Sequence, residues 1–185
     1  MRIKKFGIIG FRGQSNRIIK ILKNTKGINL EKIFYYKKKF NLKDKRITNN
    51  FNDLLNLDAI IVSSPTYTHL NYLKKINKFK GYILIEKPIV NQLKEIKIIK
   101  KFSPKRKRKM MINYNFNFSK IFFIINKLLK QKKFGIPVKA FISTNHGLAF
   151  KTNNNWRFNP QLCKGVGEMV SCHFIKFSTS LFGEI

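Results

Sequence analysis

Asp58-Ala-Ile-Ile-Val-Ser-Ser-Pro-Thr-Tyr-Thr-His-Leu70 and, a short distance on, Gly81-Tyr-Ile-Leu-Ile-Glu-Lys-Pro88 decide how this chain folds. Asp58–Val62 is a short apolar, β-branched run broken by Ser63-Ser64-Pro65, the pattern of a buried strand meeting a loop. Thr68–Phe79 places Leu70, Leu73 and Ile76 on one helical stripe. Tyr82–Ile85 is a second buried strand, and Glu86-Lys87-Pro88 stands just beyond its end. Strand, loop, helix and strand make a βαβ unit. The polar residues at both strand ends lie where open α/β sheets bind ligands.

Upstream, Lys5–Phe11 is expected to be a strand that ends in a glycine turn, Gly7-Ile-Ile-Gly-Phe-Arg-Gly-Gln-Ser15. The helix after it carries Ile18, Ile19 and Leu22 on its apolar face. Such a turn lets backbone approach a pyrophosphate, and the helix N-terminus supplies N–H groups and partial positive charge. Gly10 matches the first glycine of a G-x-G-x-x-G fingerprint. Arg12 and Ser15 occupy the second and third places, and Gly13 restores flexibility one residue late. Leu30–Tyr36 is the expected second strand. Where a carboxylate would bond a ribose 2′-hydroxyl, Tyr36 leads into Lys37-Lys38-Lys39. Positive charge there favours a 2′-phosphate, hence NADP over NAD.

Ile47–Leu57 reads as a short helix, Asn91–Phe102 as a further helix and Lys109–Asn113 as the sixth strand. Alternating β and α with short connections implies a doubly wound parallel sheet. Beyond Asn113 the pattern changes. Phe118, Ile121, Phe122, Ile125, Leu128 and Leu129 fall at helical spacing, and Val138–Thr144 alternates like a sheet strand.

The chain has 185 residues, with 39 Lys and Arg against 8 Asp and Glu, a formal net charge of +31. Taken alone, that suggests a polyanion partner. The excess of Lys, Asn, Ile and Phe along the whole chain also matches an AT-rich coding sequence, so no specific nucleic-acid partner is expected. The densest cluster, Pro104-Lys-Arg-Lys-Arg-Lys109, reads as a solvated connector. No apolar run approaches the ~20 residues of a membrane span. The opening residues, with only a very short apolar run, are not expected to form a signal peptide, and a cytoplasmic setting is expected. Cys163 and Cys172 lack metal-ligand spacing and read as reduced thiols.

Several segments together resemble the Gfo/Idh/MocA family of glucose–fructose oxidoreductase and inositol dehydrogenase relatives. They are Gly7-Ile-Ile-Gly10, Ser64-Pro-Thr-Tyr-Thr-His69, Glu86-Lys-Pro88, Asn113-Tyr-Asn-Phe116, Phe134-Gly-Ile-Pro-Val138, Trp156-Arg157 and Gly165 to His173. The resemblance implies a Rossmann domain over 1–115 and a partial α/β substrate domain over 116–185. It implies hydride transfer between NAD or NADP and a hydroxyl or keto carbon of a sugar, cyclitol or small polyol. It also implies a homo-oligomer formed through the C-terminal sheet.

By position, the resemblance makes Lys87 and His173 catalytic. It sets Gly10, Phe11, Arg12, Ser15, Tyr36, Lys37, Ser63, Ser64, Pro65, His69, Glu86, Lys87, Trp156 and Arg157 around the cofactor, with no metal. His69 and His173 also suit plain packing roles, and Trp156 suits packing better than ligand contact. Three positions depart from the family pattern. Met169 stands where an Asp is usual one helical turn before the histidine, Lys176 replaces an acidic residue three places after it, and only Gly165 and Gly167 remain of a glycine cluster. A catalytically inactive family remnant with residual nucleotide binding is therefore the competing reading, and a basic polyanion-binding protein is a third.

Overall fold

The β-branched runs form six short strands in a computed structural model, which describes residues 4–11, 13–36, 44–132, 134–144, 156, 159–163 and 165–184. Two compact units emerge, Met1–Ile112 and Asn113–Ile185.

In the first unit the strands are β1 (Lys4–Ile9), β2 (Ile28–Phe34), β3 (Ile47–Thr48), β4 (Ala59–Val62), β5 (Tyr82–Ile85) and β6 (Met110–Ile112). All pair in parallel, in the order β3-β2-β1-β4-β5-β6. This is the expected doubly wound α/β sheet. Between the strands run α1 (Gln14–Lys23), α2 (His69–Lys75), α3 (Leu93–Lys100) and α4 (Pro104–Arg108).

Side chains alternate across a strand, so each central strand feeds two cores. Ile8, Ile33 and Ile61 point to one face and meet Ile18, Ile19 and Leu22 of α1. Ile9, Ile60, Val62, Ile83 and Ile85 point to the other and meet Leu73, Ile76, Phe79 and Phe102. All four residues of β4 are buried, which is why its sequence is a continuous apolar run with no alternation.

Three expectations change. Ile47–Leu57 is not a helix: Ile47–Thr48 pairs beside β2, and Phe51–Leu54 is a single 3-10 turn. Local side chains redirect the backbone here. The Thr48 hydroxyl and the Asn50 amide both donate to Asp53, and the Asn52 amide donates to Asn50 Oδ1. Second, the basic stretch 104–109 is a short helix, solvated as expected except at Arg106. Ser103 caps α4 by accepting from the Arg106 amide at 3.2 Å, and Pro104 suits its first turn. Arg106 is buried, with 5% of its surface exposed.

Third, Val138–Thr144 is not a strand. It has no ladder partner among the described residues, and Val138 is fully exposed. A strand exists only through a neighbour that takes its N–H and C=O groups.

The second unit holds α5 (Lys120–Lys130) and α6 (Val166–Phe182). Ser119 caps α5, accepting from the Phe122 amide at 3.2 Å. Asn117 donates to the Ser180 hydroxyl at 2.8 Å, and Phe122 meets Phe177 edge-on at 5.5 Å, so α6 is held against the start of α5. No helix among the described residues is long and apolar enough to cross a membrane. No group of three His, Cys, Asp or Glu there could hold a metal ion.

Candidate functional site

The register aligns the carboxyl ends of the strands. Ile9 pairs with Phe34 and with Val62, and Val62 pairs with Ile85. The next residues continue the ladder by one step. Gly10 donates its amide to the Phe34 carbonyl at 3.0 Å, Ser63 to Ile9 at 2.9 Å and Glu86 to Val62 at 2.9 Å. Gly10, Ser63, Glu86 and Lys87 therefore share one edge. The chain leaves β1 toward β2 on one side and leaves β4 toward β5 on the other. The crevice between Gly10 and Ser63 is thus the topological switch point of the sheet.

Gly10 has φ +113°, and a Cβ there would lie 2.9 Å from the Ser63 carbonyl oxygen and 3.0 Å from Ser15 Oγ. Only glycine allows that backbone conformation and that approach. Ser15, fully buried in the first turn of α1, donates its hydroxyl to the Ser63 carbonyl at 3.3 Å. It ties the glycine turn to the end of β4. The first turn of α1 has no acidic residue and no side-chain cap, so the turn presents backbone N–H groups and a positive dipole end. Ser63 Oγ is buried and has no hydrogen-bond partner among the described residues. A glycine cradle, an uncapped helix start and a buried orphan hydroxyl together fit a dinucleotide phosphate bridge.

On the same edge, His69 is completely buried at the start of α2. Its Nε2 lies 2.9 Å from the Ser64 carbonyl and its Nδ1 lies 3.0 Å from the Pro88 carbonyl. The ring thus joins the loop after β4 to the loop after β5, where the Lys87–Pro88 peptide is cis. Burial holds the His69 pKa below the ordinary histidine value, while the carbonyls pull the other way. His69 therefore braces the crevice wall from behind. Thr68 completes the brace, its hydroxyl lying 2.7 Å from both Ser64 Oγ and the Pro65 carbonyl. Lys87 and Glu86 are half-buried at the strand end.

Beyond β2, Tyr35 is buried and packs against Phe11 at 6.2 Å, while Tyr36 is 64% exposed. Arg12, Lys37 and Arg157 lie outside the described residues.

The second unit gathers another part of the expected site. His173 on α6 is buried, stacks on Phe116 at 4.6 Å and meets Tyr114 edge-on at 6.3 Å. The Asn113–Phe116 motif and the histidine thus form one cluster. Met169 is one turn before His173 on the same face. Trp156 is half-buried, and its carbonyl accepts from the Asn159 amide at 3.2 Å.

Two positioning residues escaped the sequence reading. Glu95 accepts from the amides of Asn91 and Gln92 at 2.8 and 3.0 Å, fixing the loop that follows Pro88. Its spacing, Gln92-x-x-Glu95, was the available signal. Arg106 donates to the carbonyls of Phe79, Gly81 and Lys109. No sequence signal separates it from the four basic neighbours that are its equals in charge.

The oxidoreductase family with an NAD-binding Rossmann fold, Gfo/Idh/MocA, matches residues 4–114. Oxidoreductase P35 of Formosa agariphila is 29% identical over 140 residues, covering 72% of this chain and 43% of that protein. Two solved structures share the fold. Scyllo-inositol dehydrogenase from Lactobacillus casei, with bound NAD(H) and scyllo-inositol, is 20% identical and covers 72% of this chain and 43% of its own, with a TM-score of 0.61. The WlbA dehydrogenase from Thermus thermophilus, in complex with NAD and UDP-GlcNAcA, is 18% identical and covers 98% and 64%, with a TM-score of 0.72. The chain spans about half the length of these relatives. With the match over most of the first unit and the switch-point crevice in place, the chain belongs to the Gfo/Idh/MocA oxidoreductase family.

Proposed function

We propose that this protein transfers a hydride between a nicotinamide dinucleotide and a hydroxyl or keto carbon of a sugar, cyclitol or similar polyol. The observation that carries this reading is the crevice at the switch point. There Gly10 allows close backbone approach, Ser63 Oγ has no partner among the described residues, and Lys87 stands just past the end of the neighbouring strand. In this reading Gly10, Ser15 and the start of α1 receive the phosphates. Ser63, Ser64, Pro65 and Glu86 line the nicotinamide side, and Phe11 and Tyr36 flank the adenosine end. Arg12, Trp156 and Arg157 belong to the same cofactor set. The Lys37–Lys39 run supports NADP over NAD. When bound, the nicotinamide supplies the hydride acceptor or donor.

Lys87 holds the substrate oxygen and passes its proton, and His173 is the second acid–base residue of this reading. Exposed Phe118, Ile121, Phe123 and Ile124 support self-association through the second unit. A binding-only remnant is the second reading, favoured by Met169 standing one turn before His173 in place of a carboxylate.

The test is fluorescence titration of the purified chain with NADPH and NADH, followed by turnover assays over sugars and cyclitols. Saturable binding, NADPH preferred, with turnover lost in Lys87→Ala but binding kept, supports the enzyme. Binding with no turnover on any substrate favours the remnant. Folded protein that binds neither cofactor sinks both readings.

A further inference from the structure

The edge of the sheet opposite the crevice has a different character. In a right-handed βαβ unit the helix runs back to the amino end of the next strand. The C-terminal ends of α2, α3 and α4 therefore converge where β5 and β6 begin, at Tyr82 and Met110. Residues 74–82 and 97–110 hold twelve Lys and Arg and no Asp or Glu, more than twice the average density for this chain.

Compositional bias accounts for the number of lysines but not for their gathering at one pole. Helix C-termini favour cations, which explains their local placement. The topology then brings several such ends together. Two contacts fix the pole: Lys109 Nζ donates to the Lys80 carbonyl at 2.7 Å, and Lys107 Nζ to the Lys100 carbonyl at 3.0 Å. Beneath them the buried Arg106 guanidinium ties Phe79, Gly81 and Lys109 together, so the cations stand on a rigid base. Lys80, Lys100, Lys101 and Lys105 are exposed. One carboxylate borders this edge: Asp58 accepts from the Lys5 amide at 2.8 Å, and its carbonyl accepts from the Tyr82 amide at 3.0 Å.

An aromatic ring stands within the cations. Tyr82 is 63% exposed, and Lys109 Nζ lies 5.4 Å from its ring centroid. Clustered cations around an exposed aromatic ring suit a single-stranded nucleic acid, whose phosphates meet the lysines while a base stacks on the ring. A lipid surface would call for several apolar side chains to insert, and among residues 74–82 and 97–110 Tyr82 is the one exposed large apolar side chain.

We propose that this basic pole, on the far side of the first unit from the cofactor crevice, binds the sugar–phosphate backbone of single-stranded nucleic acid without sequence preference. Because the two sites occupy opposite sheet edges, nucleotide cofactor and nucleic acid bind independently.

The test uses the full chain and a fluorescein-labelled single-stranded 20-mer, read by anisotropy at about 0.15 M salt, where the Debye length is about 8 Å. The triple variant K100E/K101E/K105E reverses three charges at the pole. R17E/K45E/K94E reverses three exposed charges elsewhere and matches it in net charge. Circular dichroism confirms that both are folded.

The expected result is a loss of about tenfold or more for the pole variant, with a salt slope shallower by about two. The matched variant should lose less than threefold. Tyr82→Ala should weaken single-strand binding about threefold or more and leave duplex binding unchanged. Equal losses in both triple variants would reduce the effect to net charge and overturn the proposal. It would equally be overturned by the absence of saturable binding, or by tighter binding to phosphatidylserine vesicles than to the oligonucleotide.

Discussion

His69 Nδ1 lies 3.0 Å from the Pro88 carbonyl oxygen, so a fully buried ring at the start of α2 holds the strand end that carries Lys87. Its other nitrogen lies 2.9 Å from the Ser64 carbonyl, and the neutral ring donates its single N–H to one of the two. The two walls of the crevice are thereby one mechanical piece.

His69→Ala removes both contacts and leaves a cavity beside two buried carbonyls. A loss of about 3 kcal/mol in urea unfolding is expected, from lost packing and unpaired acceptors together. His69→Gln, which keeps one donor, should recover part of it. Equal stability of Ala and Gln variants would show that the ring is a spacer only.

The same residue gives stability a pH dependence. Burial depresses the folded-state pKa of His69 below the unfolded value near 6.5. Between those two values the unfolded chain binds the extra proton, so unfolding free energy rises with pH. The contribution is fully present above the unfolded pKa and is lost as pH falls through the folded one. Melting temperature should fall from pH 7 to pH 5 in the natural chain, and fall less in His69→Gln. Parallel curves for the two proteins would refute this assignment.

Gly10→Ala should impair nucleotide binding more than folding. The added Cβ would meet the Ser63 carbonyl at 2.9 Å in a backbone conformation that costs a non-glycine residue about 1–3 kcal/mol. Calorimetric titration with NADPH should show at least a tenfold weaker dissociation constant. Gly13→Ala provides the comparison: it carries backbone strain of its own at φ +52°, but its Cβ meets nothing within 4 Å, so it isolates the effect of the contact with Ser63.

Arg106→Met should destabilise the first unit by about 2–4 kcal/mol, since three carbonyls lose a charged donor at a buried position. Arg106→Lys should restore only part of this, because an ammonium lacks the planar fork. Substitution of its exposed neighbour, Lys105→Met, should move stability by less than about 0.5 kcal/mol. A large effect at Lys105 would contradict the clamp.

The sequence by itself determined the alternation of elements. Runs such as Asp58–Val62 and Tyr82–Ile85 are short, apolar and β-branched, which reads as strand. Gly10 and Lys87 stand just past strand ends, where the apolar runs Ile8–Ile9 and Tyr82–Ile85 break off. These are local properties, legible in a window of ten residues. Tertiary structure decided what depends on a distant partner. Val138–Thr144 alternates correctly and still pairs with no strand among the described residues, because a ladder needs a neighbour that no window contains. Ile47–Thr48 pairs with β2 although it reads as helix. Of the basic residues from Lys105 to Lys109, only Arg106 is buried, because the carbonyls of Phe79 and Gly81 lie more than two dozen residues away in sequence and beside it in space. Hydrogen-bond geometry across the fold selects one side chain among chemical equals, and charge alone carries no trace of that choice.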